Sequence, residues 1–146
     1  MRDFFKRYIP EFVYGAVDGT VTTFAVVAAS AGAGISSSVI LILGIANLIA
    51  DGFSMGSSAY LAASAEHEES IRDSQKRSSP KIIGTVTFLA FVVVGSVPVL
   101  PYLIDVIANL KAPNAVLFYI SSALTAATFL AIGFIKGKVS KQSPWQ

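Results

Sequence analysis

The sequence predicts an all-α, polytopic membrane bundle of four transmembrane helices with the N and C termini in the cytoplasm. Three observations lead there. Of 146 residues, 53% are hydrophobic and only 14% are charged, whereas a soluble domain carries about 25% charged residues. The apolar residues gather into four stretches, about 12–33, 37–63, 82–108 and 115–135, each at or above the roughly 20 residues that cross ~30 Å of hydrocarbon. With four crossings, every lysine and arginine except Lys111 falls on one side, and the positive-inside rule makes that side cytoplasmic. Residues 1–146 are read as one transmembrane domain, with a cytoplasmic linker at about 66–81.

Each element has a local reason. Helix is the default for a span because lipid offers no partner for free backbone groups. Pro10 followed by Glu11 suits the first turn of span one. The cluster Gly32-Ala33-Gly34 with Ser36-Ser37-Ser38 predicts a tight turn into span two. Pro98 and Pro101 predict a kink or an early end in span three. Lys111 to Asn114 closes the loop before span four. The orientation rests on Arg2, Lys6 and Arg7 ahead of span one, on Arg72, Lys76, Arg77 and Lys81 between spans two and three, and on Lys136, Lys138 and Lys141 after span four. Phe4, Phe5, Tyr8 and Trp145 are expected as an aromatic belt at the same interface.

Composition also excludes much. The chain has no cysteine and a single histidine, His67, which removes disulfides, thiolate metal sites and histidine cages. A net charge of +2 is too small to argue for nucleic acid. The N-terminal run MRDFFKRYIP has no apolar core and is not a cleavable signal. No nucleophile–base constellation is present, so neither an enzyme nor a bound cofactor is expected.

The chemistry lies in the acids inside the spans. Asp18 and Asp51 each sit in a long apolar stretch and each precede a glycine. A carboxylate at the centre of a membrane helix costs roughly 2.5–3.5 kcal/mol on insertion scales, so such residues are retained for a use. Glu11, Asp18 and Thr22 share one stripe of span one, and Asn47, Asp51 and Met55 share one of span two. Glu66 returns to nearly the same azimuth at the cytoplasmic end. Each helix thus offers a polar line running inward from its mouth.

The pairs Gly15/Gly19 and Gly52/Gly56 are GxxxG motifs that let helices approach closely. Beside the acids, they are expected to bring carboxylates on neighbouring helices together. Carboxylate oxygens with the Met55 thioether suit a borderline divalent metal such as iron(II) better than magnesium or calcium. Neutral oxygens are available on Thr22, Asn47, Ser54 and Ser57. The plainer readings are a packing acid at Asp18, a brace at Asp51, a gap-filler at Met55, interfacial charges at Glu11 and Glu66, and packing roles for Tyr60 and the Ser57-Ser58 pair. The run Glu66-His67-Glu68-Glu69 reads as a solvated linker rather than a metal trap.

The segments YGAVDGTVTTFAVVAASAGAG (14–34) and LILGIANLIADGFSMGSSAYLAASAE (41–66) resemble the first two helices of the vacuolar iron transporter family. ALTAATFLAIGFIKGKV (123–139) is similar, more loosely, to its fourth. The resemblance implies a homodimer that exchanges cytoplasmic iron(II) or manganese(II) for protons, with the first helix lining a path at the dimer interface. It assigns Asp18 as the intramembrane acid that binds metal and couples protons, and Met55 as the helix-two methionine. It also gives Asp51 and Glu66 as further acids of helix two. With Glu11, these form the expected metal set.

The short interval from Glu66 to Lys81 matches the branch of the family without a metal-gathering cytoplasmic domain. The family's fifth helix has no counterpart among the four stretches. A short chain of this kind points to a prokaryotic cell membrane, or to the vacuolar membrane in a eukaryote. Two other readings compete: a proton-coupled exporter of organic cations, which needs aromatic walls around Asp18, and a non-transporting subunit that assembles through its GxxxG faces.

Overall fold

The computed structural model describes the backbone of residues 2–69 and 78–140, and side chains over 7–66 and 78–137. Among these residues there are five α-helices: α1 (Arg2–Gly32), α2 (Ser37–Glu69), α3 (Pro80–Gly95), α4 (Leu100–Ala108) and α5 (Asn114–Ser140). A 3₁₀ turn, Val97–Val99, joins α3 to α4. Among the described residues four spans are long and apolar enough to cross a membrane: Arg7–Gly32, Ser37–Glu66, Pro80–Ala108 and Asn114–Gly137. The third is the interrupted one, as its two prolines require. Phe53, Ile107 and Leu130 stand 69%, 75% and 77% exposed, a surface made for hydrocarbon rather than water.

Several boundaries differ from the sequence expectation. Pro10 lies inside α1, which begins near Arg2, rather than in its first turn. A proline about two turns into an interfacial helix frees a single carbonyl, and water at that depth can satisfy it. Span two continues to Glu69, so residues 66–69 are helical and not linker. The linker's Arg72, Lys76 and Arg77 fall outside the described residues, as do the side chains of Arg2, Phe4, Phe5, Lys6, His67, Glu68, Glu69, Lys138, Lys141 and Trp145. Tyr8 is not a belt residue. It is 6% exposed, and its hydroxyl accepts a hydrogen bond from the Ser79 N–H at 3.3 Å, tying the start of α1 to the start of α3.

The turns at the opposite end are chemically explicit. Gly34 has φ +70°, the left-handed conformation that glycine adopts freely. Around it, the Ile35 N–H donates to the Ser30 carbonyl at 3.1 Å and the Gly34 N–H to that of Ala31 at 3.0 Å, the paired bonds of a Schellman cap. After α4, Asn109 takes φ 50°, and the Leu110 N–H donates to the Asp105 carbonyl at 3.2 Å. The Asn114 side-chain amide donates to the Ile35 carbonyl at 2.9 Å, so these two turns abut.

Helix α3 is the hub, packing most extensively against α1 and α2, while α5 leans on α1 and on the 3₁₀ turn. The GxxxG pairs explain the hub. Gly15 and Gly19 of α1 press on the backbone of Thr87 and Phe91, and Gly52 and Gly56 of α2 press on Phe88 and Gly84, all in α3. The glycine faces therefore serve a third helix and do not draw α1 and α2 carboxylates together. Their approach is set by backbone volume, which leaves Asp18 and Asp51 on the sides of the helices facing away from α3. The core divides into a cluster of Val27, Ile40, Val99, Tyr102 and Leu117 and a second of Ala16, Ala90 and Ile132.

Candidate metal pathway between α1 and α2

One hydrogen-bonded bridge fixes the register of α1 and α2. The Asn47 amide donates to the Thr23 hydroxyl at 3.3 Å and lies 3.5 Å from that of Thr22. Thr22 in turn donates to the Asp18 carbonyl at 2.9 Å. Because the helices are antiparallel, one turn back along α1 meets one turn on along α2. Asp51 therefore lies level with Asp18, and Met55 lies level with Tyr14, about 6 Å nearer the N-terminal end. On α2, Ile40, Gly44, Leu48, Gly52 and Gly56 are buried at four-residue spacing. Asn47, Asp51 and Met55 precede three of them and form the neighbouring stripe on the α1 side. The two polar lines expected from sequence thus run side by side.

Their depth is the physical point. Asp18 is eleven residues from Arg7 and fourteen from Gly32, or about 17 and 21 Å along the helix. Asp51 is comparably central in Ser37–Glu66. Both are exposed on the chain, and neither carboxylate forms a hydrogen bond or ion pair among the described residues. At mid-membrane depth, exposure of that kind means contact with lipid or with another protein surface, and lipid is the costly choice. Along α1 the exposed stripe reads Pro10, Tyr14, Asp18, Val21, Ala25, Ala29 and Gly32, spaced by threes and fours. That is the seam spacing of packed helices. Small side chains occupy its far half.

The other expected ligands are spread along the axis. Glu11 is half-buried, about 10 Å from Asp18, and its Oε2 is enclosed without a hydrogen-bond partner among the described residues. An enclosed, unpaired carboxylate oxygen is costly, so a cation reaching it would recover energy there. Glu66 is exposed at the end of α2, about 22 Å beyond Asp51. Met55 is half-buried. Among the described residues, no three histidine, cysteine, aspartate or glutamate side chains converge on a point that could hold a metal. Among the described residues the candidate ligands form a line of single groups rather than a cluster.

The bridge also shows what sequence reasoning undervalued. Thr23 is fully buried and serves as the anchor for Asn47. Phe24, near Asp18 in sequence, stacks on Phe118 of α5 with ring centroids 6.0 Å apart. The aromatic on the Asp18 stripe is Tyr14, 64% exposed. Helical spacing of four residues from Asp18 was the available signal for it.

The model of the VIT family matches this chain over residues 9–79 and 67–146. A Vacuolar iron transporter of Toxoplasma gondii is 46% identical over 61 residues, 42% of this chain and 20% of the relative. Vacuolar iron transporter 1 of Arabidopsis thaliana is 37% identical over 75 residues, 51% of this chain and 30% of the relative. A Vacuolar iron transporter of Plasmodium falciparum is 36% identical over 63 residues, 43% of this chain and 23% of the relative. The aligned part thus spans between a fifth and under a third of these relatives. No solved structure matches significantly. The family match runs through all four spans, including both stripes of the pathway, and on that evidence the chain belongs to the VIT family.

Proposed function

We propose that this chain carries a divalent metal, iron(II) and also manganese(II), out of the cytoplasm in exchange for protons, as a homodimer joined along the outward stripe of α1. The observation that carries the reading is Asp18, mid-membrane, outward-facing and without a hydrogen bond or ion pair among the described residues. A second copy across a two-fold axis would cover that stripe and bring a second Asp18 beside the first. Two such carboxylates, with Asp51 level with them and Met55 one turn away, supply the oxygens and the soft thioether that suit a borderline metal. The names of the relatives support the choice of iron.

The coupling follows from ligand chemistry. Like carboxylates close together in dry surroundings repel each other when both are charged, and either a metal ion or a proton relieves that repulsion. Metal binding needs deprotonated ligands and releases that proton. One site that holds either metal or proton, but not both, is the requirement for exchange. Glu66 and then Glu11 mark the approach, with the Glu11 Oε2 enclosed and ready for a cation. The basic ends set this approach on the cytoplasmic side by the positive-inside rule. The relatives reported above are eukaryotic and lend no support to a prokaryotic cell membrane. An organic-cation exporter would need an aromatic enclosure, and Tyr14 is a single ring.

Proteoliposomes test the proposal. Iron(II) flux should follow an imposed pH gradient and release protons in the opposite direction, and Asp18→Asn should reduce both to the protein-free background. Flux in the variant equal to that of the native chain would refute the assignment of Asp18. Flux indifferent to the pH gradient would refute the exchange.

A further inference from the structure

A groove apart from this pathway has chemistry of its own. It lies between α2 and α3 and has a volume of ≈ 550 Å³, within the roughly 300–1,000 Å³ of sites for small ligands. Its floor is the Gly56–Gly84 crossing, where the two backbones nearly touch. Phe53 and Phe88 line its deep end, and Lys81 and Tyr60 stand at its outer end. Lys81 is exposed in the first turn of α3 and forms no hydrogen bond or ion pair among the described residues. Among the described residues the groove thus grades from Lys81 at the membrane surface to aromatic rings at mid-depth.

We propose that this groove binds one anionic glycerophospholipid, its phosphate on Lys81 and an acyl chain along Phe53 and Phe88. Lengths agree with that occupant. From Lys81 to Phe88 is seven residues, about 10 Å of helix, which is most of one leaflet of a ~30 Å hydrocarbon layer. A transmembrane helix is a poorer fit, because it needs a trough crossing the whole layer, and the lining residues stop at Phe53 and Phe88. Lys81 supplies the charge selection. Its stem can lie along the apolar wall while the ammonium stays at the headgroup level. None of these residues belongs to the proposed metal path, so the inference stands or falls independently of the transport reading.

Native mass spectrometry of the full purified chain tests it, with phosphatidylglycerol and phosphatidylcholine of identical acyl chains offered together. One phosphatidylglycerol should be retained per chain, with about fivefold preference over phosphatidylcholine, the effect of one lysine near an anionic surface. Lys81→Gln should abolish the preference, and Lys111→Gln, an exposed cation at the other membrane face, should leave it intact. Thr85→Trp, filling the groove from the α3 side, should displace the lipid while the circular dichroism spectrum stays native. Inorganic phosphate at the same concentration should not compete. Equal retention of the two lipids by the native chain would overturn the proposal, as would a preference that survives Lys81→Gln or Thr85→Trp. A preference lost equally in Lys111→Gln would show a diffuse charge effect and overturn it as well.

Discussion

Replacing Gly19 with alanine would test how the bundle is closed. A Cβ at this position would stand 2.5 Å from the Phe91 carbonyl oxygen and 3.0 Å from the Phe91 Cα. Ordinary contact begins at 3.4 Å, so α1 and α3 must part by roughly 0.9 Å at this crossing. The obstacle is helix backbone, which cannot swing aside as a side-chain tip can. Sliding is blocked too, because a Cβ at Gly95 would already stand 2.8 Å from the Gly19 main chain. A gap of 0.5–1 Å forfeits about a quarter to a half of the dispersion energy of each pair across it.

Overpacking of this kind costs typically about 1–3 kcal/mol, and with backbone on both sides we expect about 3 kcal/mol. The control is Gly133→Ala in α5, where nothing lies within 4 Å of the added Cβ. Helix propensity alone makes that change neutral or favourable by up to about 1 kcal/mol. Unfolding by SDS titration in mixed micelles, followed by far-UV circular dichroism, measures both. Equal midpoints for the two variants would refute the argument that backbone contact at Gly19 sets the α1–α3 distance. Since Asp18 adjoins Gly19, the same variant should also lose metal flux.

Three further outcomes follow from the hydrogen bonds. Asn47→Ala removes the bridge to Thr22 and Thr23 and should cost about 0.6–1.7 kcal/mol in the same SDS titration, the range of interhelical bonds in membranes. Metal flux should fall further than stability does, because the α1–α2 register is released. Asp105 is 7% exposed and accepts from the Ala112 N–H at 2.9 Å. Asp105→Ala should cost about 1–2 kcal/mol by leaving that donor unpaired, and Asp105→Asn, which keeps the acceptor, should restore most of it. Ser121 donates at 2.7 Å to the Pro98 carbonyl where span three breaks. Ser121→Ala should lower stability by about 1 kcal/mol, read by the same titration.

The number of spans, their helical character and the break at Pro98–Pro101 were legible in the sequence, since each depends on local quantities: run length, composition and a missing backbone donor. The polar stripes of α1 and α2 were legible for the same reason, because helical spacing alone puts Asp18 and Thr22, or Asn47 and Asp51, on one face. Which neighbour each face meets was not. Only the tertiary structure decided that both GxxxG pairs close on α3, that Phe24 turns to Phe118, and that Tyr8 is buried against Ser79. It likewise decided that Asp18 and Asp51 are level and outward. Those are outcomes of three-body packing: the glycines of both neighbours close on α3, and the rotation of α1 and α2 that results fixes where their other side chains point.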